Sequence, residues 1–343
     1  MTPSTGIITF LSKYKERLKI FTEQAEDEKA AVNMAIGASY AGVRAMTASS
    51  GGGFALMVEG ISLAGMTETP VVIVLAQRPA PATGLPTRTE QGDLLFAINA
   101  GHGEFHKLVF APSDPKDAFH KIVRAFNLAE KYQIPAIILT DQHLADSYFT
   151  LEDFELDKVI NRSYLANPDE IANYKRYQLN ESGISPMLYP GQSHHLVCCD
   201  SYEHDEYGHI TEDLELRKRM VKKRLRKTEL LRKEIVPPEE KEISDATDVF
   251  LSWGSSRNAV FEAVNRLRED EALIGAIHFT ELLHLPEYEF PRDVNYYTVE
   301  SNATGQLGRL LRSEYGISVK RAIARYDGLP LDHMYIMEGF VNG

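Results

Sequence analysis

Cysteine is nearly missing from this 343-residue chain, and the two that it has, Cys198 and Cys199, are adjacent. Two neighbouring thiols cannot build a disulfide framework. They also cannot supply the four thiolates of a structural metal site or an iron–sulfur cluster. If the function needs such a cluster, a partner chain must carry it.

The chain also lacks a positive charge excess and a long apolar run. Its 37 Lys and Arg residues stand against 49 Asp and Glu residues, which gives a formal net charge of -12. Nucleic-acid binding needs a basic footprint, so this charge argues against nucleic acid as a partner. No run of about eighteen apolar residues is present and the N-terminus has no apolar signal-peptide core, so we expect no membrane span and a cytoplasmic location.

Alternating helix and strand patterns are present in the first part of the sequence and return in the last part. Residues 1–146 contain buried-strand patterns such as Val71–Ala76 between amphipathic helices. Residues 245–343 repeat the alternation, beginning with the strand Val249–Trp253. The fold class predicted is therefore α/β, with two doubly wound parallel-sheet domains.

The segment between these domains, residues 147–244, loses the alternation. We expect an extended connection up to about residue 210 and then a charged helix over residues 211–234. At the start of the second domain, the hydroxyls of Ser255 and Ser256 are expected to cap the helix that follows.

The helix predicted over residues 26–42 is unusually rich in Ala, Gly and Ser. Small side chains let another backbone come close, so we expect this helix to be central rather than peripheral. The acidic residues at its start, Glu26, Asp27 and Glu28, have a simple alternative explanation, because negative charge there complements the helix dipole.

A polar loop of ten residues, Gly84–Asp93, follows a predicted strand and contains Gly and Pro. Arg88 offers a planar set of donors that suits a carboxylate. Loops at the carboxyl ends of parallel strands are also where open sheets bind ligands. The loop therefore predicts a site for a small anion, although a solvated surface turn would have a similar composition.

Three further segments have a functional and a plainer interpretation. Residues 49–53 (SSGGG) lack the Lys-Ser/Thr of a phosphate-binding P-loop, which favours a tight strand-to-helix turn. Residues 203–209 hold possible metal ligands but no helical pair of histidines, which disfavours a metal site. The basic residues 217–227 predict a solvated helix or a docking face for an acidic partner surface.

Several blocks are informative jointly: QAEDEKAAVNMAIGASYAGVRAMTASSGGGFALM (24–57), PVVIVLAQRPAPATGLPTRTEQGDL (70–94), GHGEF (101–105), FNLAEKYQIPAIILTDQ (126–142), EHDEYGHITED (203–213) and VESNATGQLGRLL (299–311). Together they resemble the alpha subunits of the 2-oxoacid:ferredoxin oxidoreductases, closest to the 2-oxoglutarate-type (KorA-like) branch. The resemblance runs from Thr2 to near the C-terminus.

The resemblance implies a divided cofactor site. Residues 1–146 would be a pyrimidine-binding domain for thiamine diphosphate, and residues 245–343 a transketolase C-terminal-like domain. A beta subunit would bind the diphosphate and would carry Mg²⁺ and an iron–sulfur cluster. The reaction implied is oxidative decarboxylation of a 2-oxoacid to acyl-CoA and CO₂, with coenzyme A as acyl acceptor and ferredoxin as electron acceptor. Gamma and ferredoxin-like delta subunits are further possible partners, and we expect a dimer of heterodimers or larger.

The resemblance also implies site residues. Glu28 corresponds to the carboxylate that hydrogen-bonds the pyrimidine ring and activates the cofactor, with Glu26 as the alternative register. Ser49, Ser50 and Gly51 are expected beside the cofactor. The substrate carboxylate would bind Arg88, with Thr87 sharing the contact and Arg78 as the alternative.

One motif departs from the family. Of its Tyr-Pro-Ile-Thr-Pro, only Thr2-Pro3 is present, and the first strand of the pyrimidine domain that should precede it is missing. Either the natural chain is longer or the sheet lacks an edge element. Thr2 is thus a weakened candidate for a substrate contact, because terminal residues are poorly held.

Alternative functions follow from the same resemblance. A pyruvate- or branched-chain-oxoacid oxidoreductase subunit would share the fold, and a truncated subunit would be non-catalytic. A transketolase-type enzyme is disfavoured, because the sequence lacks the Gly-Asp-Gly and Asn-Asn signature that binds diphosphate and metal.

Overall fold

Short aliphatic segments of the N-terminal part pair as parallel strands in the computed structural model, which describes residues 1–154, 156 and 159–342. Across the first sheet the strands lie in the order Met46–Ser49, Val71–Gln77, Pro135–Asp141, Leu108–Phe110 and Glu281–Leu283. In chain order the N-terminal elements are α1 (Thr5–Leu18), α2 (Glu28–Tyr40), β1 (Met46–Ser49), α3 (Gly51–Met66), β2 (Val71–Gln77), α4 (Leu94–Asn99), β3 (Leu108–Phe110), α5 (Pro115–Tyr132), β4 (Pro135–Asp141) and α6 (Gln142–Asp146).

The second sheet is built from the C-terminal part and has the order β10-β9-β6-β7-β5. Strand β8 leaves this region and pairs antiparallel with β3 at the edge of the first sheet. The elements are α7 (Leu214–Arg226), α8 (Thr228–Arg232), β5 (Glu239–Lys241), β6 (Asp248–Trp253), α9 (Arg257–Glu269), β7 (Ile274–Phe279), β8 (Glu281–Leu283), β9 (Asn295–Glu300), α10 (Gln306–Tyr315), β10 (Val319–Ala324) and α11 (His333–Val341).

The fold class is confirmed as α/β with two parallel-dominated sheets. Each sheet also has an antiparallel edge strand, β8 on β3 and β5 on β7. Helices pack on both faces of the first sheet. The reason is visible in β2, because its side chains alternate between two apolar layers. Val71, Ile73 and Leu75 pack with α2 and α3, whereas Val72 and Val74 pack with α5 on the opposite face.

One apolar core extends across both sheets. The layer that contains Phe54 and Met57 of α3 also contains Trp253 of β6 and Leu307 of α10. Burial of so much shared apolar surface stabilises the two units against each other. A separate apolar layer on the far face of the second sheet includes Phe250, Val264 and Ile336.

The connection has little regular structure, as predicted. Among the described residues from 147 to 210, a 3₁₀ turn spans Pro168–Glu170 and an isolated bridge joins His204 to Ile210. Residues 155, 157 and 158 lie outside the described residues. Within the described part of the chain, no helix has both the length and the apolar character that crossing a membrane requires.

The prediction for the basic segment was right in part. Two charged helices, α7 and α8, form here, and the exposed basic residues are Arg217, Lys218, Arg219, Lys222 and Arg226. Three other basic side chains, those of Lys223, Arg224 and Lys227, are buried instead of solvated. Lys223 and Lys227 each bind Glu68, at 2.5 Å and 2.6 Å. Arg224 binds Glu203 at 2.8 Å. Carboxylates from distant parts of the same chain, which a local charge pattern does not reveal, make this burial possible.

The predicted serine cap was also wrong. Ser256 stands at the N-cap of α9, but its backbone is already helical and its hydroxyl donates to the Trp253 carbonyl at 2.7 Å. Ser255 instead donates to the Asp141 carboxylate at the end of β4. The hydroxyl of Ser255 therefore links the two sheets rather than the helix end.

Candidate functional site

Glu28 is the first residue of α2, and its neighbours leave its carboxylate available. The preceding residue Asp27 caps the helix by accepting from the Ala30 amide at 2.7 Å. Ser49, which ends β1, donates its hydroxyl to Glu28 Oε1 at 3.1 Å. Glu26 lies exposed before the helix begins. Of the two sequence candidates, the structure brings Glu28 to the carboxyl end of the sheet.

The glycines that follow β1 let α3 approach this carboxylate. A Cβ on Gly53 would lie 2.6 Å from Glu28 Oε1, so a larger residue there would displace the glutamate. Ser50 is wholly buried, and its hydroxyl has no hydrogen-bond partner among the described residues. A buried hydroxyl without a partner is costly, which makes it available to a bound polar group.

The N-terminal turn lies over the same helix start. Arg78 is 7% exposed and donates from Nη1 to the Thr2 carbonyl at 2.7 Å. A Cβ on Gly52 would lie 3.7 Å from the Met1 methyl. Arg78 is thus engaged in holding Thr2, which gives this terminal residue a fixed neighbour.

Arg88 and Thr87 are in a different position. Both are exposed, on the outer part of the Gly84–Asp93 loop. The stem of Arg88 rests against the second unit, where a Cβ on Gly328 would lie 3.1 Å from Arg88 Cβ. Its guanidinium is therefore accessible to a ligand, whereas that of Arg78 is buried.

Two carboxylates at the end of the loop were not among the predicted site residues. Asp93 lies beside the start of α3, 2.6 Å from the position of a Cβ on Gly51. Burial raises the pKa of Asp93 to about 6. Burial, with the nearby Asp93 charge, raises the pKa of Glu90 to about 7. Both groups therefore exchange protons near neutral pH, which is typical of functional sites.

The acidic and histidine-rich segment is occupied by internal contacts. Glu203 accepts from Arg217 and Arg224, and Asp205 accepts the amide of His209 at 3.0 Å. Over the described residues, no group of three or more His, Cys, Asp or Glu side chains is placed to hold a metal ion.

Comparison with known proteins identifies the family of the chain. Residues 1–223 match the family model described as pyruvate flavodoxin/ferredoxin oxidoreductase, thiamine diP-bdg. The alpha subunit of 2-oxoacid:ferredoxin oxidoreductase 1 from Sulfurisphaera tokodaii is 41% identical over 333 residues, covering 92% of this chain and 51% of that protein. The 2-oxoglutarate synthase subunit KorA of Methanocaldococcus jannaschii is 33% identical over 298 residues, covering 86% of this chain and 77% of that one.

A solved structure agrees over the full chain. The 2-oxoglutarate:ferredoxin oxidoreductase from Magnetococcus marinus, with 2-oxoglutarate, coenzyme A and succinyl-CoA bound, superposes with a TM-score of 0.91 at 33% identity. It covers 100% of this chain and 60% of that chain. The present chain spans about half the length of the Sulfurisphaera relative. Because the family model matches more than half of the chain, the chain belongs to the thiamine-diphosphate-binding family of pyruvate flavodoxin/ferredoxin oxidoreductases.

Proposed function

We propose that this chain is the alpha component of a thiamine-diphosphate-dependent 2-oxoacid:ferredoxin oxidoreductase, with 2-oxoglutarate as substrate. The reaction converts the 2-oxoacid and coenzyme A to acyl-CoA and CO₂ and passes two electrons to ferredoxin. The names of the Methanocaldococcus relative and of the Magnetococcus structure, which contains 2-oxoglutarate and coenzyme A, support this choice of substrate.

The observation that carries the proposal is the cradle of Glu28, Ser49 and Gly53. A carboxylate lies at the carboxyl edge of a parallel sheet, and one serine hydroxyl donates to it. The missing side chain at Gly53 makes room for this carboxylate and for the Ser49 hydroxyl, because a Cβ there would lie 2.6 Å from Glu28 Oε1. The cradle fits the edge of an aminopyrimidine, which presents a nitrogen that a carboxylic acid can hydrogen-bond.

The roles of the residues follow from these positions. Glu28 would hold a proton between its carboxyl group and the pyrimidine nitrogen, and Ser49 would orient that carboxyl group. Ser50 and the backbone at Gly51 would line the cofactor. Bound there, thiamine diphosphate would supply the nucleophilic carbon that permits loss of CO₂ from a 2-oxoacid.

The substrate carboxylate is assigned to Arg88, with Thr87 beside it, because its guanidinium is exposed on the loop. A planar fork of donors matches a carboxylate in two hydrogen bonds. Thr2, held by Arg78, is the second polar contact proposed. Arg78 itself is the weaker candidate because its guanidinium already binds the Thr2 carbonyl.

The remaining requirements fall to partner chains. A beta subunit would complete the site with the diphosphate contacts, Mg²⁺ and an iron–sulfur cluster. Ferredoxin, and possible gamma and delta subunits, would complete a cytoplasmic complex. We assign residues 1–146 to the pyrimidine-binding domain, 147–244 to the connection, and 245–343 to the transketolase C-terminal-like domain.

The test is co-expression with a beta-type chain of the same family and an assay of coenzyme A-dependent ferredoxin reduction. The oxoacids compared are 2-oxoglutarate, pyruvate and a branched-chain oxoacid. We expect Glu28→Gln to lower kcat by about 100-fold or more, the range for loss of a group that manages proton transfer. Glu26→Gln is the matched control, because this glutamate is two residues away and exposed.

Each result has a defined meaning. Full activity in Glu28→Gln, or loss of activity only in Glu26→Gln, would contradict the assignment of Glu28. A preference for pyruvate would move the chain to the pyruvate branch and leave the class of reaction unchanged. An assembled wild-type complex that turns over no oxoacid would remove the enzymatic proposal and favour a non-catalytic subunit.

A further inference from the structure

The second sheet has a crevice of the kind that usually binds a ligand, and a residue of the first unit occupies it. In this sheet β6 lies between β7 and β9. The chain passes from β6 to β7 on one side and from β9 to β10 on the other, so the strand order changes direction between β6 and β9. Open α/β sheets bind ligands at such a switch point, beyond the carboxyl ends of the strands. Trp253 ends β6 and Ser301 follows β9 at this edge.

Gln91, which is 1% exposed, fills the crevice. Its backbone amide donates to the Ser301 carbonyl at 2.6 Å. Its side-chain Nε2 donates to the Trp253 carbonyl at 3.0 Å, and its Oε1 accepts from the Ser301 amide at 3.2 Å. A side-chain amide thus satisfies the two strand ends that an external ligand would otherwise contact.

Gln306, the first residue of α10, binds the chain on the other side of Gln91. Its Oε1 accepts from the Leu95 amide at 2.9 Å, and its Nε2 donates to the Gly92 carbonyl at 2.6 Å. Before Gln91, the Thr89 amide donates to the Gly328 carbonyl at 3.2 Å. The second unit therefore holds residues 89–95 from three separate places.

The held segment begins one residue after Arg88. We propose that the second α/β unit is a clamp for the ligand loop, and that Gln306 is a positioning residue that fixes the direction of Arg88 without touching substrate. This inference rests on the proposed function, because it assumes that Arg88 binds the oxoacid carboxylate. It assigns the switch-point crevice to a residue of the same chain instead of a small molecule.

The clamp has a specific kinetic consequence. Arg88 would contact the carboxylate in the bound substrate and in the steps before that group leaves as CO₂. Misplacement of Arg88 therefore weakens the bound substrate and the transition states of those steps equally. Such uniform binding appears in KM and leaves kcat unchanged. Removing hydrogen bonds of this type lowers the equilibrium constant for the loop bound to the second unit by a factor of about 3 to 10.

The experiment uses Gln306→Leu in the full chain, assembled with its beta partner. Leucine has a similar size but neither donates nor accepts. Gln192→Leu is the matched control, because Gln192 is also half-buried and makes the same pair of bonds, to the Tyr189 amide and the Ala166 carbonyl, away from the loop. The measurements are KM and kcat for the oxoacid, and hydrogen–deuterium exchange resolved to single amides.

We expect Gln306→Leu to raise KM by about 3- to 10-fold with kcat within about twofold, while Gln192→Leu changes neither. Amide exchange at Thr89 and Gln91 should also rise, although their own acceptors, the carbonyls of Gly328 and Ser301, are intact. A merely local effect would increase exchange at Leu95 alone and would overturn the clamp.

The remaining outcomes separate this inference from the proposed function. Faster exchange at Thr89 and Gln91 with an unchanged KM would overturn the positioning role and leave the enzymatic assignment in place. A fall in kcat with unchanged KM would also overturn it, because the effect would not be on carboxylate binding. A wild-type complex without activity would refute the proposed function, and the positioning role with it.

Discussion

Helices α2 and α7 have compositions that predict opposite environments, and the structure departs from each prediction in part. Helix α2, made mostly of small and apolar residues, buries Val32 and Ile36 but leaves Met34 48% exposed and Gly37 open. Helix α7 is strongly basic and buries Lys223 and Arg224. Composition therefore indicates what a helix could bury. The charges and surfaces of the neighbouring elements decide what it does bury.

For α7 the decisive neighbour is Glu68, which is 2% exposed and lies two residues beyond the end of α3. Burial alone would raise the pKa of Glu68, but the ammonium groups of Lys223 and Lys227 outweigh that effect and hold its pKa well below the usual range. Arg176 of the connection donates to the Glu68 carbonyl at 2.7 Å. Glu68 thus holds the basic segment to the first unit through its carboxylate and the connection through its backbone carbonyl.

The largest expected effect comes from removing that charge. Glu68→Gln leaves the shape of the side chain but strands two buried ammonium groups, and breaking a buried pair in this way costs about 3–5 kcal/mol. The free energy of unfolding in denaturant measures the loss. Glu262→Gln, which breaks a surface pair with Arg266 on α9, is the control and should leave the unfolding midpoint unchanged. Equal effects in the two variants would contradict the role of burial.

The next largest effect is expected from a substitution on the exposed face of α2, and it tests whether this face binds the beta subunit. A Cβ on Gly37 would meet nothing within 4 Å, so Gly37→Arg should leave the thermal stability of the isolated chain nearly unchanged. If this face receives the beta subunit, the new charged side chain should weaken co-purification of the two chains at least about tenfold. Asn265→Arg, exposed on α9 of the second unit, is the control. Unimpaired assembly of Gly37→Arg would place the partner elsewhere.

The smallest expected effect concerns stability as a function of pH, in which two buried carboxylates, Asp93 and Glu68, should act with opposite signs. Asp93 has a raised pKa, so the stability it contributes is complete below its usual 3.8 and is lost as pH rises through about 6. Glu68 has a lowered pKa, so its contribution is instead lost as pH falls. Thermal midpoints across pH should therefore show Asp93→Asn gaining stability relative to wild type as pH rises. A gain that grows as pH falls would contradict this.

How far the sequence predicted the fold depends on the length of each element. Strands β2 and β6 are long aliphatic runs and were predicted almost to the residue. Strands β3 and β8 have three residues each, too few for a repeating pattern, and were not predicted. Strand β10 was also missed, because Lys320 and Arg321 interrupt its apolar pattern, and helix α11 was not predicted either.

The same limit applies to the candidate site. Glu28, Ser49 and Ser50 lie within one continuous block of sequence, so the resemblance could place them near one another, and their roles stay predictions. The contact of Gln306 with Leu95 joins residues 211 positions apart. No local pattern reports a pairing of this kind, because it depends on how the two sheets pack. Asp93 was missed as a titrating group because it lies against the start of α3, a contact between distant residues that no local pattern reports.

The pairing of β8 with β3 has a consequence for the order in which the chain is made. Strand β3 is complete at residue 110, but its second neighbour is encoded at residues 281–283. During synthesis the first sheet therefore presents an unpaired strand edge until most of the chain has emerged. Exposed edges are templates for pairing with other chains. A chain ended between the two units would therefore leave β3 without its second neighbour, as an exposed edge of the first sheet.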